Sequence, residues 1–334
     1  MFSLLSGHPT STFKLQPQIS KPSHLVLQLH IQHSIRRPLP AMVDADAILA
    51  AAAQHPKPED HTFKYGTAGF RMKANLLDSV FFRVGLVAAL RSRKLGGQTI
   101  GVMITASHNP PEDNGVKLVD PMGDMLEASW EEYTTTLTNA PNSEVYNVYK
   151  KLEADLKIEE TEVAKVIYAR DTRPSGPKLV QALKDGLEAA GAEFTDYKLL
   201  TTPQLHYLTR CINTEGTPQA YGEVSEKGYY DKLAKAFVQA IKGKKITGPV
   251  IVDCANGVGG PKLAELVKYL PKASEGGIDI KIVNDDVVRA ESLNHDVSLD
   301  SQFTPLPYLT RAIVRSGFRQ NQAESSSILQ GSSQ

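Results

Sequence analysis

A β-branched run, TIGVMIT at 99–105, stops abruptly in ASHNPPEDNGVK, and this junction constrains the fold more than any other stretch of the chain. An unalternating apolar run of that length, preceded by Gly96 and Gly97, describes a buried strand. Beyond it, Asn109 before Pro110 is steered away from helical angles and Asn114-Gly115 is a turn signal. Residues 106–116 therefore read as a rigid loop that projects Ser107 from a strand end.

The flanking sequence supplies the layers that such a strand needs. Apolar residues recur at helical spacing over 78–95 and stop at Gly96-Gly97, and an Ala-rich stretch at 44–54 opens on Asp44. Ser129 and Glu132 stand at capping-box spacing before another helical stretch. Residues 163–168 read as a strand, 176–190 as a helix closed by Gly191, and 193–200 as a further strand. After a polar linker at 213–218 come a helix at 225–241, a strand at 249–253, a helix at 262–269 and a strand at 278–283. The rhythm predicts two consecutive α/β domains with mainly parallel mixed sheets.

The glycine-rich turn 253–260 has two readings, a phosphate cradle at a helix start or glycines serving a tight strand-to-helix turn. It lacks both a Walker lysine-threonine ending and a full GxGxxG spacing.

Ser107 could carry a phosphoryl group, which would bring about −1.5 to −2 charges and strong acceptor oxygens. His108, Asn109 and Lys117 supply nearby donors, and an ordinary Ser or Asx turn is the alternative use of the same residues. The chain has 37 basic and 37 acidic residues, so attraction for an anion must be local, and neither a nucleic-acid surface nor a polybasic membrane surface is expected. No apolar stretch reaches the roughly 20 residues that a spanning helix needs. Cys211 and Cys254 lack metal or redox spacing, which points to a reducing compartment and to cysteines that pack as small apolar groups.

The string TASHNP, together with YGTAGFR at 65–71, closely resembles the α-D-phosphohexomutases. Within that family NGVKLVDPMGDML, SWEEY, RDTRPS, TTPQLHYLTR, GYY and VDCANGVGG look like the branch that acts on N-acetylglucosamine phosphates rather than the phosphoglucomutases and phosphomannomutases. The resemblance covers 65–296 and implies an intramolecular phosphotransferase that interconverts N-acetylglucosamine 6-phosphate and 1-phosphate for nucleotide-sugar synthesis. By that likeness Ser107 is the phosphoserine and Arg71 lies beside it. Lys117 is then a charge partner and proton acceptor, while His108 supports the serine and Asn109 contacts phosphate or supports the loop. Arg71 as a surface ion pair is the bland alternative.

The resemblance also implies Mg2+, held through the phosphate on Ser107 and an aspartate triplet DGDxDR. That triplet is missing, and Asp285-Asp286 lacks its alternating spacing. The expectation is a C-terminally truncated member lacking the third and fourth domains, with negligible turnover by itself. Its parts are a largely disordered extension 1–56, a first domain 57–210, a second domain 217–297 and a divergent, disordered tail 298–334. The partner is a sugar phosphate and the chain a monomer, cytoplasmic unless the acid-free segment 1–41 is a transit peptide. A serine hydrolase is disfavoured because Ser107 lacks a GxSxG elbow.

Overall fold

The computed structural model describes residues 43–294 apart from 67, 68, 160, 243, 245 and 247. The readings of 1–41 and 298–334, and of Thr67 and Ala68 in the GTAGFR string, fall outside the described residues. In chain order the elements are α1 (Ala45–Gln54), β1 (Phe70–Lys73), α2 (Asp78–Lys94), β2 (Thr99–Ile104), β3 (Asp113–Val119), α3 (Ser129–Asn139), α4 (Val145–Asp155) and β4 (Lys165–Arg170). There follow α5 (Gly176–Ala189), β5 (Glu193–Leu199), α6 (Thr202–Thr214), α7 (Glu226–Ile241), β6 (Val250–Asp253), α8 (Gly259–Val267) and β7 (Ile280–Val283).

The larger sheet has the order β1-β3-β2-β4-β5 and is mixed. Strands β2, β4 and β5 run parallel, whereas β3 pairs antiparallel with both β1 and β2. Every side chain of β2 is buried, as its unalternating apolar sequence predicts. Alternate residues divide between two cores. Ile100, Val102, Ile104, Val116 and Leu118 face a large core with α2, α3 and α5, while Met103, Val119, Ile167 and Ala169 face a smaller one beneath α6. Helices α2 and α5 cross where glycines let them touch: a Cβ on Gly186 would sit 2.0 Å from the Phe82 carbonyl oxygen. Among the described residues the smaller sheet pairs β6 and β7 in parallel, with α8 against β7 and α7 against α6.

Three local readings are corrected. The loop after β2 is shorter than 106–116, because Asn114-Gly115 lies within β3 instead of forming a turn. A Cβ on Gly115 would stand 2.4 Å from the Phe70 carbonyl oxygen and 2.8 Å from that of Thr105, so this glycine admits two neighbouring backbones. Ser129 is no cap, since Ala128 precedes the helix with helical angles and Ser129 Oγ donates to Glu127. The segment 213–218 is linker only after Thr214, where α6 ends.

Part of the segment 1–56 is built into the core. Helix α1 is capped by Asp44 Oδ1, which accepts from Asp46 N at 3.1 Å, and it buries Ile48 and Ala52. Its end is tied down by His55, whose Nδ1 lies 2.7 Å from Asp78 Oδ2 and whose Nε2 lies 2.9 Å from Asp185 Oδ2. Asp78 above all, then Asp185, lifts the His55 pKa above its ordinary 6.5 against the opposing effect of burial. A raised folded pKa gives stability that is complete below about pH 6.5 and is lost as pH rises through the lifted value. The melting temperature should therefore fall as pH rises above about 6.5, and His55→Gln should flatten that slope in circular-dichroism melts.

Candidate functional site

Strands β2 and β4 run parallel side by side, so their carboxyl ends open at the same edge, the place where parallel sheets present ligand sites. Ser107 lies just past the end of β2 and Asp171 just past the end of β4. Thr105 joins them: its Oγ1 accepts from Ser107 N at 3.0 Å and donates to Asp171 Oδ2 at 2.7 Å. Ser107 itself has a φ of +53°, a left-handed conformation that serine rarely adopts. Such a backbone persists where its surroundings over-determine it.

The surroundings are organised by Arg173, whose side chain is wholly buried. Its Nη1 donates to the carbonyls of Pro110 at 2.6 Å and Asp113 at 2.8 Å, and its Nη2 to those of Ser107 at 3.0 Å and Asn109 at 2.9 Å. Nε donates to Asp171 Oδ2 at 3.1 Å. One guanidinium thus fastens the loop by its carbonyls. Burial pushes the Asp171 carboxyl above its ordinary range, opposed first by Arg173 and then by Thr105.

Arg71 and Lys117 share a sheet face. Arg71 lies opposite Gly115 across β1 and β3, Lys117 is two residues further along β3, and Val119 on the same face packs in the core under α6. Among the described residues neither cation has a carboxylate within ion-pair distance, and Arg71 Nε is buried without a hydrogen-bond partner. Burial, reinforced by Arg71, lowers Lys117 to about 8. Burial and the Arg173 charge likewise lower Arg71. Arg71 is therefore no surface ion pair. Uncompensated cations at a strand edge make an anion site, and a lysine near 8 exchanges protons at neutral pH.

His108 is exposed on the loop. Asn109 stabilises the loop instead of pointing donors outward, for its Nδ2 donates to Asp113 Oδ2 at 3.1 Å and its N–H to Ala106 O at 3.1 Å. A cleft beside the loop is lined by Thr105, Asp171, Thr201, Cys254, Val258 and Asn294. Cys211 is buried and Cys254 half-buried, and neither is in a disulfide. Asp286 is bound to Arg289 Nε at 2.7 Å, and among the described residues no three metal-ligating side chains converge.

Sequence reasoning assigned no role to Thr105, Asp171, Arg173 or His206. The first three were marked only by the strings TASHNP and RDTRPS. His206, in TTPQLHYLTR, has Nδ1 2.8 Å from the Gly123 carbonyl oxygen and a buried Nε2 without a partner. Burial lowers its pKa and the nearby Lys117 charge adds to that effect.

A family model described as phosphoglucomutase/phosphomannomutase, alpha/beta/alpha domain I, matches residues 86–145 and 141–220. The chain is 48% identical over 263 residues to a phosphoacetylglucosamine mutase of Candida albicans, covering 74% of this chain and 46% of that protein. It is 47% identical over 247 residues to the Homo sapiens phosphoacetylglucosamine mutase, covering 73% and 44%. A structure of Aspergillus fumigatus N-acetylphosphoglucosamine mutase in complex with GlcNAc-6P and magnesium superposes with a TM-score of 0.70 at 58% identity, covering 75% of this chain and 46% of that one. Another from the same organism, in complex with glucose1,6bisphosphate, gives a TM-score of 0.73 at 58% identity over the same shares. The chain thus spans about half the length of the curated relatives it matches. No helix among the described residues is long and apolar enough to cross a membrane. At this level the chain is similar, over about half their length, to phosphoacetylglucosamine mutases, members of the α-D-phosphohexomutase superfamily.

Proposed function

We propose that Ser107 takes a phosphoryl group from a hexose bisphosphate and passes it to an N-acetylglucosamine phosphate, the step these residues contribute to phosphoacetylglucosamine mutase chemistry. The observation that carries this reading is the pair of half-buried cations, Arg71 and Lys117, without a carboxylate partner among the described residues, on the face that borders a left-handed serine loop. On loading, Ser107 Oγ attacks phosphorus and gives its own proton to solvent, the bond from phosphorus to the sugar oxygen breaks, and the departing oxygen takes a proton from the Lys117 ammonium. In the reverse direction neutral Lys117 removes the proton of the attacking sugar hydroxyl, and the departing Ser107 oxygen takes a proton from solvent. Arg71 neutralises charge on the phosphoryl oxygens with its planar fork of donors. His108, exposed on the loop, supports the serine from the solvent side.

On this reading 57–210 is the first domain and 217–297 belongs to the second, with 1–56 and 298–334 outside them. The partner is a sugar phosphate and the chain a cytoplasmic monomer. Mg2+ is named with the Aspergillus structure. Among the described residues it meets no carboxylate cage, so phosphate oxygens on Ser107 are the donors that would face it, and no step here runs through the ion.

Incubation of the full chain with glucose 1,6-bisphosphate and Mg2+, followed by peptide mass spectrometry, tests the proposal. One phosphate on the peptide that contains Ser107 is expected. No uptake, or phosphate on another residue, would sink it.

A further inference from the structure

The turn after β6 holds a segment of chain that reaches the Ser107 loop. Ala255 and Asn256 have left-handed φ angles of +51° and +53°. Their unusual backbone turns polar groups toward residues 292–294. The Ala255 carbonyl accepts from Asn294 N at 2.9 Å, and Asn256 Nδ2 donates to the Ser292 carbonyl at 3.0 Å. Leu293 is buried, and its Cδ1 would lie 3.4 Å from a Cβ on Gly257. Asp253 braces the turn from the strand end, with Oδ1 accepting from Ala255 N at 2.9 Å and Oδ2 from Asn284 Nδ2 at 2.9 Å.

From this seat the Asn294 carboxamide reaches across the cleft. Its Nδ2 donates to the carbonyls of Ser107 and Asn109, both at 2.8 Å. These are the two carbonyls that Arg173 Nη2 already holds. A carbonyl oxygen has two lone pairs, and here each has a donor for both. A carbonyl bound from two sides resists rotation of its peptide plane, which keeps Ser107 in the left-handed region. Asn294 itself has a φ of +57°, a conformation that asparagine tolerates better than most residues.

We infer that Asn294 is a positioning residue for the Ser107 loop, seated by the turn 253–257, so that the β6–β7 layer holds the serine in its projecting conformation. The turn then serves neither phosphate nor mere compactness. It anchors a clamp. The inference rests on the reading of Ser107 as the phosphoryl carrier, but its test does not depend on phosphate uptake.

Amide hydrogen exchange on the full chain provides that test, comparing the wild type with Asn294→Asp, which keeps the shape but faces two carbonyls with acceptors only. Exchange in 106–112 should rise roughly tenfold or more while β2 and β4 stay protected. Asn294→Ala should act in the same direction with a smaller effect, and it replaces the aspartate variant if that protein fails to fold. Unchanged exchange in 106–112, or an equal rise throughout the larger sheet in both variants, would overturn the inference. Mass spectrometry of wild-type phosphate uptake is read separately, so failure of the carrier reading and failure of the clamp are distinguishable.

Discussion

Arg173→Ala should lower the melting temperature by roughly 10 °C. The guanidinium is wholly buried and satisfies Asp171 and four backbone carbonyls. Truncation leaves a buried carboxyl without its cation and strips a donor from each carbonyl. Removing one partner of a buried ion pair costs about 3–5 kcal/mol. In a domain of this size each kcal/mol moves the midpoint by about 2–4 °C. Arg173→Lys should recover only part of the loss, because one ammonium has three donors and no planar fork with which to meet five acceptors. Calorimetry of the two variants checks the order. A shift under about 2 °C for Arg173→Ala would mean that the loop is held by something else.

Lys117→Gln should slow transfer between Ser107 and the sugar by about 10²–10⁴-fold, the usual contribution of a positioned acid or base. Glutamine retains a donor and much of the length but cannot exchange a proton. The wild type should also show a signature in pH. Because Lys117 is lowered to about 8, its neutral form grows as pH rises through that value. On the proposed mechanism transfer from phosphoserine to a sugar hydroxyl needs the neutral amine, so its rate should climb toward a plateau above about pH 8. Loading of Ser107 from a bisphosphate needs the ammonium and should decline over the same interval. Rapid-quench measurement of phosphate on Ser107 in both directions separates these limbs. A Lys117→Gln protein with the wild-type rate and the same pH dependence would assign the proton to another group.

The larger layers were legible because their signals are local. The buried run of β2, the glycines that end α2 and the repeating strands and helices follow from periodicity alone. Strand β3 was hidden because Asn-Gly ordinarily means a turn, and only the close approach of Phe70 and Thr105 shows why a glycine stands mid-strand. Helix α6 carries a legible start, with Thr201 and Gln204 bonded reciprocally and Pro203 in the first turn, yet those residues stood inside a string quoted only for its likeness.

Within the site, Ser107 and Lys117 share one loop-and-strand segment and were readable together. Arg173 was not, because its work is done on carbonyls 60 to 66 positions away. Asn294 lies further still, and no spacing rule links a carboxamide to acceptors 185 and 187 residues distant. Sequence pattern names the groups that react, whereas backbone acceptors carry no residue type and so leave no trace in it.

The two-stranded sheet of β6 and β7 gives the molecule an uneven response to heat. Few of its side chains are fully buried, and a lone pair of strands has little stability of its own. Its helix α8 is tied to α7 by Lys262 to Glu226 at 2.6 Å, and α7 in turn to α6 by Gln204 to Tyr230 at 3.0 Å. Among the described elements this layer is therefore expected to open first, as a cooperative unit, while β2 and β4 remain folded. When it opens, Asn294 departs with it. The serine loop then keeps Arg173 and Thr105 but loses the second donor to its carbonyls, so on the proposed function phosphoryl transfer should fade on warming before any loss of the main sheet is visible in a spectrum.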